Sequence, residues 1–258
     1  MTVPMIELKG VEKRYGGHVA LAGVSLRVDA GTFVALVGAS GSGKTTLLKT
    51  LNRLVAPDAG EVRVAGEAVE TGPAPLLRRR IGYVFQEVGL FPHLSVGENI
   101  AVTPRLLGWT PERIAGRVDT LLDLVALPRE MAGRRPDALS GGQRQRVGVA
   151  RALAAEPGIV LMDEPFGALD PLTRDALGDD YRALHERLGL TTVMVTHDMA
   201  EAVLLADRIV VLRAGSIVAD GAPGQLLASV RDPEVRALLE APRRQAERLR
   251  ARLAEPAA

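Results

Sequence analysis

Short apolar runs bounded by glycine predict the buried strands of this chain. Residues 32–37 (Thr-Phe-Val-Ala-Leu-Val) lie between Gly31 and Gly38, and similar runs occupy residues 159–162 and 191–196. Runs of this length that are rich in β-forming residues are typical of strands buried on both faces. Because helical patterns separate these runs, we expect crossover connections and a parallel sheet.

The N-terminal part of the chain alternates apolar and polar positions instead. Apolar residues occupy every second position within residues 6–8, 24–28 and 62–64. Such alternation predicts an antiparallel layer with one face exposed to solvent.

Strand patterns are absent from about residue 97 to residue 156, where helical spacing takes over. Thr110-Pro111 begins a helical pattern, because the threonine can cap a helix that proline starts. Its apolar positions are Ile114, Val118, Leu121, Leu122 and Val125. This region is therefore predicted to be an inserted helical subdomain.

Asp170-Pro171 predicts another helix start. We expect this helix to direct Leu177, Leu184 and Leu188 toward the core.

The C-terminal part, from about Ser229, is rich in arginine and interrupted by Pro233 and Pro242. It is predicted to form short helices with solvated charged faces. Arg78, Arg79 and Arg80 are interpreted in the same way, as solvated charges rather than a lipid-phosphate site.

Composition limits the functional classes. The 258 residues are 47% hydrophobic, enough for one large domain or two modest lobes. Lys and Arg (32) nearly balance Asp and Glu (31), so no long-range field attracts a polyanion, and we expect no nucleic-acid partner. The absence of cysteine excludes disulfide scaffolds, cysteine nucleophiles and thiolate metal sites. Without a run of about 20 apolar residues or a secretion signal, the chain is expected to be soluble and cytoplasmic.

A glycine-rich loop follows the first buried run and precedes a helical pattern. Its residues are Gly38, Ala39, Ser40, Gly41, Ser42, Gly43, Lys44, Thr45 and Thr46. Glycines let successive backbone N–H groups turn inward, and a helix N-terminus adds partial positive charge, which together suit phosphate. Lys44 is expected to reach the β- and γ-phosphates and Thr45 to bind Mg²⁺.

Two carboxylates, Asp163 and Glu164, end the second buried run. Alone they would more simply begin a loop, but the phosphate loop favours a catalytic interpretation. Asp163 is expected to hold Mg²⁺ through water, and Glu164 to take a proton from an attacking water. A positioned general base contributes about 10²- to 10⁴-fold in rate.

A second glycine-containing helix start is predicted near residue 140. Its residues are Ser140, Gly141, Gly142 and Gln143. Ser140 can be an ordinary N-cap, or the segment can be a second anion-binding helix start. Two chains facing each other head to tail would use both loops.

These motifs, in this order, resemble the ATP-binding subunits of ABC transporters over roughly residues 5–228. The resemblance implies an α/β fold: a P-loop NTPase (RecA-like) core with a mainly parallel sheet, an N-terminal antiparallel β layer and an inserted helical subdomain at about 97–156. Residues 1–228 would be the nucleotide-binding domain and residues 229–258 a short helical tail.

The resemblance also assigns roles to residues that have simpler explanations when taken alone. Tyr15 resembles the aromatic that stacks on adenine, Gln86 the glutamine that senses the nucleotide, and His197 the switch histidine at the γ-phosphate. Asp170, within residues 168–170, matches the loop that crosses to a partner. The implied catalytic residues are Lys44, Gln86, Glu164 and His197. The implied magnesium ligands are Thr45, Gln86 and Asp163.

ATP and Mg²⁺ are the implied cofactors. The implied partners are a second copy of the chain, transmembrane permease subunits and, indirectly, a solute-binding protein, at the cytoplasmic face of the membrane. A chromosome-organising relative would carry a long coiled coil before Asp163, and a ribosome-bound one would carry two cassettes. A P-loop small-molecule kinase would leave residues 140–143 unexplained.

The cargo is indicated only by subfamily resemblance. Residues 52–54, 80–86, 89–93 and 166–175 look most like importers of quaternary amines such as glycine betaine, choline or carnitine, with polar amino-acid importers as the alternative. Longer members carry regulatory CBS domains, whereas about 30 residues follow Ala228 here. Ionic-strength sensing through such domains is therefore not expected.

Residues 90–94 (Leu-Phe-Pro-His-Leu) are apolar where a loop should be polar. They either pack beneath the helical subdomain or form part of a patch that receives a short helix of a membrane subunit. We favour the patch, because exposed apolar patches mark interfaces.

Overall fold

The structure is a computed structural model that describes residues 3–167 and 169–254. The strands are β1 (Ile6–Tyr15), β2 (His18–Val28), β3 (Phe33–Val37), β4 (Ala59–Val64), β5 (Glu67–Ala68), β6 (Ile81–Val84), β7 (Ile159–Asp163), β8 (Thr191–Val195), β9 (Arg208–Arg213) and β10 (Ser216–Gly221). The α-helices are α1 (Lys44–Leu51), α2 (Ala74–Arg79), α3 (Val96–Leu106), α4 (Pro111–Leu124), α5 (Gly141–Leu153), α6 (Pro171–Leu188), α7 (Met199–Leu205), α8 (Pro223–Ser229), α9 (Pro233–Leu239) and α10 (Ala241–Ala254). Short 3₁₀ helices span Arg129–Gly133 and Pro136–Ala138.

The predicted antiparallel layer is confirmed. Its strand order is β2-β1-β4-β5, and neighbouring strands run antiparallel. Alternating side chains such as Ile6 and Leu8 are buried, and they share one hydrophobic core with α1 and one face of the larger sheet.

The larger sheet has the strand order β10-β9-β3-β8-β7-β6. All neighbouring pairs are parallel except β9 with β10. The three predicted apolar runs are β3, β7 and β8, which lie side by side and are buried at every residue. Burial on both faces explains why they lack the polar alternation of the antiparallel layer.

Helices α3, α4 and α5 occupy the chain between β6 and β7, as the helical spacing predicts. Thr110 caps α4 by accepting a hydrogen bond from the Arg113 backbone N–H, and Pro111 is its first residue. Val118 and Leu121 are buried in the core that covers the second face of the larger sheet. The helical subdomain therefore packs through the same apolar cluster as the sheet.

Two expectations need correction. Leu188 is 46% exposed, because α6 ends there; after the left-handed Gly189, Leu190 is buried instead. Arg78 is more than a solvated charge, since its guanidinium donates to the backbone carbonyls of Asn52 and Arg53.

The two helices of the C-terminal tail differ in burial. Its helix α9 buries Val235 and Leu239 in the main core, whereas Leu249 and Leu253 on α10 are exposed. Glu234 and Arg236 on α9 are exposed, so this helix presents charged residues to solvent while it buries an apolar face. Within the described part of the chain, none of the helices combines the length and the apolar character that crossing a bilayer requires.

Candidate nucleotide-binding site

The carboxyl ends of four neighbouring strands bring the predicted residues together. The glycine-rich loop follows β3, Gln86 follows β6, Glu164 follows β7 and His197 follows β8. Because these strands are parallel, their carboxyl ends lie at one edge of the sheet, the edge where open α/β sheets bind ligands.

Two loop glycines leave no room for a side chain. Gly38 has φ 146°, and a Cβ there would lie 2.2 Å from the carbonyl oxygen of Leu212. Gly43 has φ 103°, and its Cβ would lie 2.3 Å from the carbonyl oxygen of Ala20. Since both neighbours are backbone atoms, the loop can follow this path only with glycine at these positions.

The Lys44 side chain folds back onto its own loop. Its Nζ donates to the carbonyl oxygens of Gly38 and Ala39, at 2.8 Å each, and the residue is buried. Burial lowers the pKa of Lys44, while the carboxylates of Glu164 and Asp163 oppose that shift. The ammonium group is therefore held beside the backbone concavity where phosphate oxygens would bind.

Thr45 and Asp163 form an oxygen-rich pair beneath the loop. The Thr45 hydroxyl donates to Asp163 Oδ1 over 2.9 Å, and Asp163 is buried. Hydroxyl and carboxylate oxygens are ligands that Mg²⁺ prefers, usually together with phosphate and water. Among the described residues, no cluster of three or more His, Cys, Asp or Glu side chains could hold a metal, so such an ion would need those extra ligands.

Glu164 contacts two other residues predicted for this site, Gln86 and His197. Its Oε2 accepts hydrogen bonds from Gln86 Nε2 and from His197 Nδ1, both over 3.2 Å. The backbone of Glu164 has φ 47°, a left-handed conformation that is uncommon for non-glycine residues. Gln86 thus contacts Glu164 here and not Asp163, with which it was predicted to share a metal.

Tyr15 and the glycine-rich loop line a cleft of about 450 Å³, together with Glu164 and His197. Tyr15 is 49% exposed, so its ring is available for stacking. His18, to which the sequence motifs assign no role, also lines this cleft. The pair of glycines between Tyr15 and His18 signals the hairpin turn that places His18 opposite Tyr15.

The segment from Ser140 to Gln143 begins α5 with a capping box. Ser140 Oγ accepts from the Gln143 backbone N–H, and Gln143 Oε1 accepts from the Ser140 backbone N–H. The simpler N-cap interpretation is therefore confirmed. The segment lines a depression together with Leu169 and Asp170, which accepts from the Thr173 N–H as the N-cap of α6.

The nucleotide cleft and this depression have no lining residue in common. Within one chain, the two glycine-containing helix starts therefore do not form one site. Ala168, the first residue of the predicted crossing loop, lies outside the described residues.

A separate groove of about 420 Å³ lies beside the helical subdomain. Leu54, Phe85 and Phe91 line it and are each about two fifths exposed, whereas Leu90 is partly buried against the core. Both alternatives for residues 90–94 thus hold in part: Leu90 packs inward and Phe91 contributes to an exposed apolar patch.

Comparison with known proteins gives a consistent result. The ABC transporter family profile matches residues 21–167. The choline transport ATP-binding protein OpuBA of Bacillus subtilis is 49% identical over 229 residues, covering 88% of this chain. The chain belongs to the ABC transporter family.

A second relative and one solved structure complete the comparison. The glycine betaine uptake system ATP-binding protein YehX of Escherichia coli is 50% identical over 86% of this chain and 72% of its own length. The chain spans 60% of the length of OpuBA. A dimeric structure of the ATP-binding cassette MJ0796, bound to ADP and phosphate after hydrolysis, matches with a TM-score of 0.77 at 35% identity, over 84% of this chain and 98% of that chain.

Proposed function

We propose that this chain is the ATP-hydrolysing subunit of an ABC importer that takes up an osmoprotectant quaternary amine. The observation that carries the proposal is the separation of two glycine-containing helix starts onto two surfaces of one chain. A phosphate held at one start can reach the other only on a second copy. The dimeric arrangement of MJ0796 supports this interpretation.

Each residue then has a task in ATP hydrolysis. The loop N–H groups and Lys44 bind the phosphates, and Tyr15 stacks on the adenine. Glu164 takes the proton from the attacking water, while Gln86 and His197 orient its carboxylate. Thr45, Asp163 and Gln86 would hold Mg²⁺, which supplies positive charge that stabilises the developing negative charge.

Closure of the dimer links hydrolysis to transport. ATP bound at residues 38–46 of one copy contacts residues 140–143 of the other, so it binds the closed pair more tightly. Moving the pair from mostly open to mostly closed needs about 5.5 kcal/mol of differential binding, which is within reach of two bound nucleotides. After hydrolysis the pair opens again.

The apolar groove with Leu54, Phe85 and Phe91 is proposed to receive a permease subunit. Phe85 directly precedes Gln86, so a contact in the groove is adjacent to a residue of the nucleotide site. In this proposal the nucleotide-binding domain ends at residue 228 and a helical tail follows it; residues 255–258, which the expected tail includes, lie outside the described residues. The chain lies at the cytoplasmic face of the membrane through its permease partners.

The cargo assignment is supported by the names of OpuBA and YehX, which refer to choline and glycine betaine. We expect the full complex, purified with its solute-binding protein, to hydrolyse ATP faster with a quaternary amine. A polar amino acid and sulfate serve as controls in the same assay. Stimulation by a control solute alone would assign a different cargo.

The catalytic assignment is tested by Glu164→Gln. The amide keeps the shape of the side chain but cannot accept the proton, so we expect ATP turnover to fall at least about a hundredfold. ATP should still bind and should trap the dimer, as measured by light scattering after size exclusion. Turnover near the parent rate would remove Glu164 from the role of base.

A further inference from the structure

Arg174, in the first turn of α6, contacts two loops that belong to different surfaces. Its Nη2 donates to the carbonyl oxygen of Leu169 over 3.1 Å, and its Nη1 to Asp198 Oδ2 over 3.2 Å. Its Nε is buried 3.6 Å from Glu201 Oε1 and makes no hydrogen bond within the described residues. The planar guanidinium therefore faces three separate groups, because its N–H donors are spread around a rigid fork.

The carboxylates that face Arg174 also fix the backbone on both sides of His197. Asp198 follows His197 and caps α7 by accepting from the Ala200 N–H over 2.8 Å. Thr196 precedes His197; its hydroxyl donates to Glu201 Oε2 and accepts from the Asp198 N–H. A displacement of Arg174 would therefore act on the loop that carries His197.

On its other side, Arg174 holds the loop of Leu169 and Asp170. Both residues line the depression that contains Ser140 and Gly142, whereas His197 lines the nucleotide cleft. The two surfaces share no lining residue, so Arg174 provides a short physical connection between them.

We propose that Arg174 is a positioning residue that couples the two half-sites of one subunit. This inference rests on the proposed function, in which a second copy closes over the depression. When that copy contacts Leu169 and Asp170, the guanidinium transmits the displacement to Asp198 and Glu201. His197, which accompanies Asp198, is then aligned with Glu164 and the γ-phosphate.

The test compares Arg174→Gln with a matched control on the same helix. Arg182 likewise binds two carboxylates, Glu186 and Asp207, and one backbone carbonyl, that of Leu205. Arg182→Gln therefore removes a similar set of contacts away from both half-sites. We expect similar losses in melting temperature, but a fall in ATP turnover of about tenfold for Arg174→Gln only, within the usual range of such couplings.

Two further readouts separate positioning from structural damage. In an isotope-labelled protein without nucleotide, the His197 ring signal, assigned with His197→Ala, should shift in Arg174→Gln and stay in place in Arg182→Gln. In a double-mutant cycle, Arg174→Gln should cause no further loss of turnover in the His197→Ala protein. Arg174→Lys, which retains the charge, guards against a folding failure and should show a smaller shift.

An unmoved His197 signal, or additive losses in the cycle, would overturn the inference even if ATP still drives dimerisation. A shifted signal in a protein that never dimerises with ATP would instead overturn the proposed function. The two failures are thus distinguishable.

Discussion

The two glycine-containing helix starts of this chain differ in why they contain glycine. In the loop before α1, Gly38 and Gly43 have positive φ and face backbone carbonyl oxygens within 2.3 Å of a Cβ. At the start of α5, Gly141 and Gly142 have no positive φ. A Cβ at Gly141 would meet nothing within 4 Å, and one at Gly142 would lie 2.8 Å from the Thr173 side chain and 4.0 Å from the Leu169 side chain.

This contrast separates the glycines that the fold of one subunit requires from those that it does not require. The fold of one chain already demands glycine at positions 38 and 43, because a side chain at either position would collide with the subunit's own backbone. Nothing within the described residues demands glycine at position 141. Its small size is explained if the requirement comes from outside, namely the close approach of a nucleotide held by a second copy.

The largest effect is expected for Gly43→Ala. Its Cβ cannot avoid the Ala20 carbonyl oxygen, so the loop must move, and we expect destabilisation of about 2 kcal/mol or more. Binding of a fluorescent ATP analogue should fall at least about a hundredfold, a fall typical when positioned contacts are displaced. Urea unfolding and equilibrium binding measure the two effects.

Gly41→Ala is the matched control for this change. Gly41 also has positive φ, at 75°, but a Cβ there meets nothing within 4 Å. It should therefore show only the cost of backbone strain, about 1 to 2 kcal/mol. If Gly43→Ala binds ATP as well as Gly41→Ala does, the lack of space at Gly43 does not limit ATP binding by the loop.

The second prediction concerns Gly141→Ala and separates stability from turnover. Alanine is the better helix former, by up to about 1 kcal/mol, so the melting temperature should stay the same or rise. ATP binding by the single subunit should be unchanged, since Gly141 does not line the nucleotide cleft. Turnover should fall about a hundredfold, the effect of a misplacement near 1 Å.

The measurement of dimerisation decides this case. In the Glu164→Gln background, Gly141→Ala should weaken ATP-driven association, as followed by size exclusion with light scattering. Parent-like association and turnover would show that no second copy approaches this glycine. The comparison between the two helix starts would then lose its explanation.

Local patterns predicted the elements that local physics determines. The buried strands followed from apolar runs. The phosphate loop followed from the spacing of its glycines and from its position between β3 and α1. The meeting of Gln86, Glu164 and His197 could not follow from local pattern. It depends on the strand order β8-β7-β6, which places two residues from distant parts of the sequence on either side of Glu164.

The burial of one helix face in the tail was not predicted. Val235 and Leu239 are four residues apart on α9, a spacing that places both on one helix face, and both are buried. This spacing was present in the sequence, but the prediction for the tail concerned only its charged faces. The expected burial of Leu188 was wrong because periodicity does not show where a helix passes the edge of the core.

The smallest expected effect is also the sharpest comparison, because the chain contains two equivalent capping boxes. Ser95 caps α3 through Glu98 as Ser140 caps α5 through Gln143. Ser95→Ala and Ser140→Ala should each cost about 1 kcal/mol in the free energy of unfolding.

Only Ser140 lies in the depression beside Asp170, so only its loss should also remove a hydrogen bond to a nucleotide on the second copy. In the Glu164→Gln background we expect ATP-driven dimer affinity to fall about tenfold for Ser140→Ala, the value of one such bond, and to be unchanged for Ser95→Ala. Equal losses in both variants would attribute the effect to helix stability, and Ser140 would then be a cap with no role across the interface.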